Sequence, residues 1–173
     1  MKQSIVIPIK SIRIDKLRKK YDPYFSKIKT HVTLVYPFEV EDQNKLIEHI
    51  NYCLEKIESF EITFHKLRKS KNFLVLDVER NREKLLRLYK LLNSGILSGF
   101  ENKELSIYLP HITLGIFNSN PELMEAIKGL RGRNLDFRVD VKGITLLTLN
   151  EDNSIKTEKS FNLGNLHQKS PKS

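Results

Sequence analysis

A chain of 173 residues with 39% apolar and 29% charged side chains has the size and composition of one compact domain or two small lobes. Its formal charge of +9 favours a polyanionic partner, its single cysteine, Cys53, excludes an intrachain disulfide, and no segment has the length of an apolar membrane span. The apolar run at 5–9 is interrupted by Pro8 and is too short for a secretory leader, so a reducing cytoplasm is the expected compartment.

Hydrophobic periodicity predicts the elements in chain order. A strand is expected at 3–9, a helix or irregular basic segment at 12–20, and a strand at 30–36. Residues 41–57 place Leu46, Ile47, Ile50, Cys53, Leu54 and Ile57 at helical spacing, which makes Cys53 a small buried thiol. Strands follow at 59–67 and 72–79, where Phe60, Ile62 and Phe64 alternate, as do Phe73, Val75 and, less cleanly, Asp77. Leu85, Leu88, Leu91 and Leu92 define a helix at 82–94 that Gly95 stops. A looser stretch at 98–109 leads to a strand at 111–117. Asn120 and Pro121 open a helix running to about Leu130. Strands at 135–149, broken near Gly143, and at 155–163 complete the pattern.

The chain carries one signature twice: His31-Val32-Thr33-Leu34 and His111-Ile112-Thr113-Leu114, 80 residues apart. On a strand, residues i and i+2 share a face, so each copy presents one imidazole and one hydroxyl together while its apolar neighbours point into the core. An imidazole titrates near neutral pH, and a threonine hydroxyl donates to an anionic oxygen. A helix and two strands follow each copy. This repeat of elements predicts an α+β fold with two pseudo-symmetric lobes, each a small antiparallel sheet with flanking helices, and a cleft between them. One bilobal domain is expected over 1–165, with the first-motif lobe around 30–80, the second around 110–163, and a polar tail at 166–173. Each lobe then already has its partner, which predicts a monomer.

HVTLVYPF at 31–38 and PHITLGIF at 110–117 resemble the paired motifs of the two-histidine (2H) phosphoesterase superfamily, and of its 2′-5′ RNA ligase and RNA 2′,3′-cyclic phosphodiesterase branch in particular. The segment 17–37 resembles the lead into the first motif of bacterial members, and the likeness extends from about residue 3 to 165. The resemblance implies a phosphodiesterase that opens 2′,3′-cyclic phosphates on RNA ends or nucleotides, and that also acts reversibly as a 2′-5′ RNA ligase. It further implies that His31 protonates the leaving oxygen and His111 activates water. Such a reaction needs an acid and a base with pKa values near the working pH, and imidazoles serve as both. Thr33 and Thr113 can donate to the oxygens that gather charge in the transition state. The scheme calls for no metal and no cofactor. His-x-Thr is not a metal-ligand spacing, and the chain has no glycine-rich phosphate loop.

The charge surrounds these motifs unevenly. Residues 10–30 hold eight basic side chains against two acidic ones, and His65, Lys66, Arg68, Lys69 and Lys71 form a second cluster. Both suit RNA or a nucleotide bound through its phosphates. Arg18 is a candidate phosphate contact. Tyr36, Phe38 and Phe117 are candidates for stacking on a base, although aromatic strand positions also serve the core, and two of these three are expected there. His49 is expected to be partly exposed on its helix, and His65 to be structural more readily than RNA-binding. Two other function classes fit the same residues: an RNA- or nucleotide-binding module of this fold without turnover, and a basic scaffold in which both motif strands are structural.

Overall fold

Residues 1–100 and 107–164 are described by a computed structural model. The polar tail expected at 166–173 and the middle of the looser stretch lie outside the described residues. Eight strands and four helices follow in the order β1 (Lys2–Pro8), α1 (Ile12–Tyr21), β2 (His31–Glu39), α2 (Gln43–Leu54), β3 (Phe60–Ser70), β4 (Phe73–Arg80), α3 (Arg82–Leu92), β5 (His111–Ile116), α4 (Asn120–Leu130), β6 (Phe137–Val141), β7 (Gly143–Leu149) and β8 (Ile155–Asn162). Three of these helices, α1, α2 and α4, start on a side-chain cap. Ser11, Asp42 and Ser119 each accept a hydrogen bond from the backbone N–H three residues on, satisfying an otherwise orphaned donor.

The strands form two antiparallel sheets of four, ordered β2-β1-β7-β8 and β5-β4-β3-β6. Both motif strands are therefore edge strands, one in each sheet. The division into lobes at 30–80 and 110–163 does not hold. The hairpin β3–β4, which follows the first motif, joins the sheet of the second, and the hairpin β7–β8, which follows the second motif, joins the sheet of the first. The physical reason is the helix between them. A strand that runs directly into a hairpin pairs with its neighbour in sequence, but α2 carries the chain across to the other sheet before β3 begins. The return crossing is short, since only Lys142 separates β6 of one sheet from β7 of the other. Gly143 allows it, because a Cβ there would lie 2.2 Å from the carbonyl oxygen of Phe161.

A repeated unit survives this exchange. β1, α1 and β2, like β4, α3 and β5, form an antiparallel strand pair joined through a helix. Each helix then packs across the divide: α1 leaves the first sheet and lies against β5, and α3 leaves the second and lies against β2. One apolar core runs through both sheets, with Ile5, Leu34, Leu46, Leu74, Leu88 and Leu114 fully buried within it. Each of these side chains contributes about 2 kcal/mol by leaving water. A smaller cluster of Val6, Leu147 and Leu149 lies under Ile28. Among the described residues, no helix is long and apolar enough to cross a membrane.

Both motif strands carry a bulge at the same position. Val6 is opposite Thr33 while Ile5 is opposite Val35, so Leu34 is an extra residue. In the same way Val75 is opposite Thr113 and Leu74 opposite Gly115, which makes Leu114 extra. The bulge reverses the in–out alternation, so Val35 and Gly115 are buried immediately after a buried leucine. Gly115 is also where α1 comes closest, since a Cβ there would lie 2.7 Å from Cβ and 2.8 Å from the carbonyl oxygen of Tyr21. Gly115→Ala is therefore expected to lower stability by about 1–3 kcal/mol through overpacking. Urea unfolding would measure it, and an unchanged midpoint would contradict this close approach.

Candidate active site

The two edge strands lie beside each other, and Thr33, His111 and Thr113 face a common cleft between them. Their burial runs in parallel: His31, Thr33, His111 and Thr113 are half-buried, while Val32, Leu34, Ile112 and Leu114 are wholly buried. A cavity of about 340 Å³ is lined by Thr33 and Tyr36 of the first strand and by His111 and Thr113 of the second. Phe73, Val75, Tyr108 and Leu109 form its apolar wall, and Ser70 and Lys71 lie at the hairpin end. His31 shares the strand face of Thr33 but does not line this cavity; it lines a smaller one of about 30 Å³ with Pro8, Lys29 and Thr145.

Each imidazole is oriented in the same way. Nδ1–H of His31 donates to the carbonyl of Lys29 at 2.7 Å, and Nδ1–H of His111 donates to that of Leu109 at 2.6 Å. The acceptor two residues upstream is a carbonyl, which fixes the proton on Nδ1 and leaves Nε2 for chemistry. With its lone pair Nε2 is a base, and once protonated it is an acid. Burial draws both imidazoles below the ordinary histidine value of about 6.5. The carbonyl hydrogen bonds oppose this in part, because they favour the charged ring.

An arginine–aspartate pair stands near each histidine, Arg18–Asp22 beside His31 and Arg68–Asp77 beside His111. In both cases the arginine lowers the imidazole pKa and the aspartate raises it. Asp77 lies directly across the ladder from His111, and both its oxygens accept from Arg68, at 2.6 and 2.7 Å. This pair is half-buried. The other pair is sealed: Arg18 and Asp22 side chains are 4% and 3% exposed, 2.5 Å apart, and Arg18 also donates to Thr30 Oγ1 and to the carbonyl of Ile28.

That placement corrects the expectation for Arg18. Arg18 lies inside the protein, not on its surface, and staples the loop between α1 and β2, whose Lys29 carbonyl orients His31. Phe38 and Phe117 are likewise core residues, buried at 2% and 9%, with Phe117 packed on Tyr21. Tyr36 alone of the three aromatics reaches the cleft. Strict alternation would have put it on the face opposite His31 and Thr33, and the bulge at Leu34 brings it round. His49 is partly buried and bonds through Nε2 to the carbonyl of Leu92. His65 pairs with Asp136 on the surface. The Cys53 thiol is buried, and burial pushes its pKa up to about 11.

Sequence reasoning missed Tyr108, Leu109, Phe73 and the Arg68–Asp77 pair as parts of the site. Asp77 gave a signal as a charged residue interrupting an apolar alternation, and Arg68 as a member of the second basic cluster. Among the described residues, no three His, Cys, Asp or Glu side chains are grouped as ligands to a metal.

The fold and the paired motifs define the family. Residues 4–153 match the 2′-5′ RNA ligase superfamily, and the chain belongs to it. It is 34% identical over 158 residues to a protein of Geobacillus sp. (strain WCH70) that bears the provisional name of a phosphoesterase, covering 87% of this chain and 88% of the relative. The crystal structure of TT0787 of Thermus thermophilus superposes with a TM-score of 0.65 at 16% identity, over 96% of this chain and 100% of that one. E. coli LigT complexed with 3′-AMP superposes with a TM-score of 0.60 at 15% identity, over 94% of each chain. At these identities the two superpositions establish a shared fold.

If Arg18 is the staple of the loop, Arg18→Ala strands a buried carboxylate. A stability loss of about 3–5 kcal/mol is expected in urea unfolding. A variant as stable as wild type but weaker in nucleotide binding would instead return Arg18 to the substrate.

Proposed function

We propose that the protein is a phosphodiesterase that opens 2′,3′-cyclic phosphates on RNA ends or nucleotides by two-histidine acid–base catalysis. The observation that carries this reading is the matched pair of adjacent His-x-Thr strands, each with its imidazole Nδ1–H anchored on a backbone carbonyl two residues upstream. Family membership and the phosphoesterase name of the Geobacillus relative support it, as does the complex of the structural neighbour LigT with 3′-AMP. The single core shared by both sheets is consistent with a monomeric enzyme, and we place it in the cytoplasm.

In the reaction, water attacks phosphorus as the Nε2 lone pair of one histidine takes its proton. The P–O3′ bond breaks, and the Nε2–H of the other histidine protonates the departing oxygen, leaving a 2′-phosphate and a free 3′-hydroxyl. Thr33 and Thr113 hydroxyls donate to the non-bridging oxygens, where charge grows in the transition state. Following the family assignment, His31 is the acid and His111 the base. No step needs a metal. A 5′-hydroxyl in place of water gives a 2′-5′ linkage by the same route, which is the ligase activity included in the proposal.

The decisive assay presents an oligoribonucleotide ending in 2′,3′-cyclic phosphate, in EDTA, to wild type and to His31→Ala and His111→Ala. Conversion to the 2′-phosphate by wild type is expected, with each variant slower by at least about 10²-fold. Binding without conversion by a folded wild-type protein would replace this reading with that of a binding module.

The productive form holds one neutral and one protonated imidazole. With both pKa values drawn down by burial, kcat/KM is expected to peak below pH 6.5. Above its upper limb it should fall about tenfold per pH unit as the acid loses its proton. The profile of kcat should lie at higher pH, because a bound phosphate anion favours the protonated ring. A kcat/KM still rising at pH 8 would contradict the two-imidazole scheme.

A further inference from the structure

The bulge at Leu34 is held by side chains from three separate elements. The carbonyl of Val35 accepts from Ser4 Oγ of β1 at 2.7 Å, that of Leu34 from Asn93 Nδ2 at the end of α3 at 2.9 Å, and that of Thr33 from Tyr108 Oη at 2.6 Å. Three consecutive carbonyls on an edge strand are thus engaged by side chains. Tyr108 differs from the other two in where it comes from. It precedes Leu109, whose carbonyl anchors Nδ1–H of His111. Its hydroxyl therefore closes a short path from the backbone of Thr33, in the first motif, to the imidazole of His111, in the second.

We infer that Tyr108 is a positioning residue that sets the spacing between the two half-sites, acting through Thr33. The inference rests on the phosphodiesterase reading for its activity readout. Its ring is fixed from the side, stacked on Tyr89 with centroids 4.0 Å apart and planes 5° from parallel. The residue is 8% exposed, so the hydroxyl is anchored by a nearly immobilised ring. Burial and the neighbouring Tyr36 and Tyr89 phenols raise its pKa, which keeps Oη protonated and donating at any working pH. The second motif has no equivalent among the bonds described. There the segment after the bulge is held by Asn72, whose carbonyl accepts from Phe117 N–H and whose Nδ2 donates to the carbonyl of Phe117, and α1 is pressed on Gly115. Among the bonds described, then, it is the first motif that is gauged against the second by a removable hydroxyl.

Displacement of a transition-state donor by a fraction of an ångström lowers turnover more than substrate binding. Tyr108→Phe keeps the stacked ring and removes only the bond to Thr33. Roughly ten- to hundredfold loss of kcat is expected, with KM changed by less than about threefold. The test is a double-mutant cycle with Thr33→Val on the same RNA-end substrate, each protein first shown to be folded by circular dichroism. If Tyr108 acts through Thr33, the double variant is no slower than Thr33→Val alone. Multiplicative losses, or a Tyr108→Phe protein as active as wild type, would overturn the inference. Wild type inactive on the substrate would be a failure of the phosphodiesterase reading instead. The same four proteins would then be compared by affinity for adenosine 2′-monophosphate, where non-additive losses sustain the positioning role and additive or absent ones end it.

Discussion

Two strand edges have to be held side by side before either motif can do chemistry, and the shared apolar core is what holds them. Neither His-x-Thr strand is paired along its cleft side by a neighbour in its own sheet. Their juxtaposition depends on α1 and α3, each rooted in one sheet and packed on the motif strand of the other. Leu34 and Leu114 belong to this core at the very positions where the strands bulge. The residue that anchors the strand is thus the one that turns the next side chains toward the cleft. Packing and site geometry are for this reason hard to separate, and a substitution at either leucine would act on both.

The electrostatics follow from the same burial. Removing two imidazoles from water disfavours their charged forms, which brings both closer to losing a proton than free histidine is. A site of this kind needs some means of keeping one ring protonated. The carbonyls of Lys29 and Leu109 supply most of it and Asp22 and Asp77 a smaller share, while Arg18 and Arg68 act against them. Each histidine is thus balanced between an arginine and an aspartate, but the balance differs. On the His31 side the pair is sealed within the loop that leads to the strand. On the His111 side it is half-buried. The pseudo-symmetry of the backbone does not extend to the surroundings of the two rings.

The sequence was most legible where periodicity was strong. The helix at 120–130 and the break near Gly143 were readable from a capping dipeptide and a glycine, and the two His-x-Thr strands with their shared faces from the repeated spacing. What remained hidden has a common cause in non-local pairing. The exchange of hairpins between sheets leaves no local trace, because α2 has the same amphipathic pattern whichever sheet its successor joins. Tyr36 was placed by a bulge, which alternation does not forecast. Arg18 looked like a surface cation among others, and only the placement of Asp22, Ile28 and Thr30 around it reveals an internal ion pair.

The exchange of hairpins also bears on how such a protein can change over generations. A chain made of two tandem lobes could lose one and keep a folded remnant with half the chemistry. Here a cut after β4 would deprive the first sheet of β7 and β8 and the second of β5 and β6, so neither fragment retains a complete sheet. The two motifs are inherited as one unit.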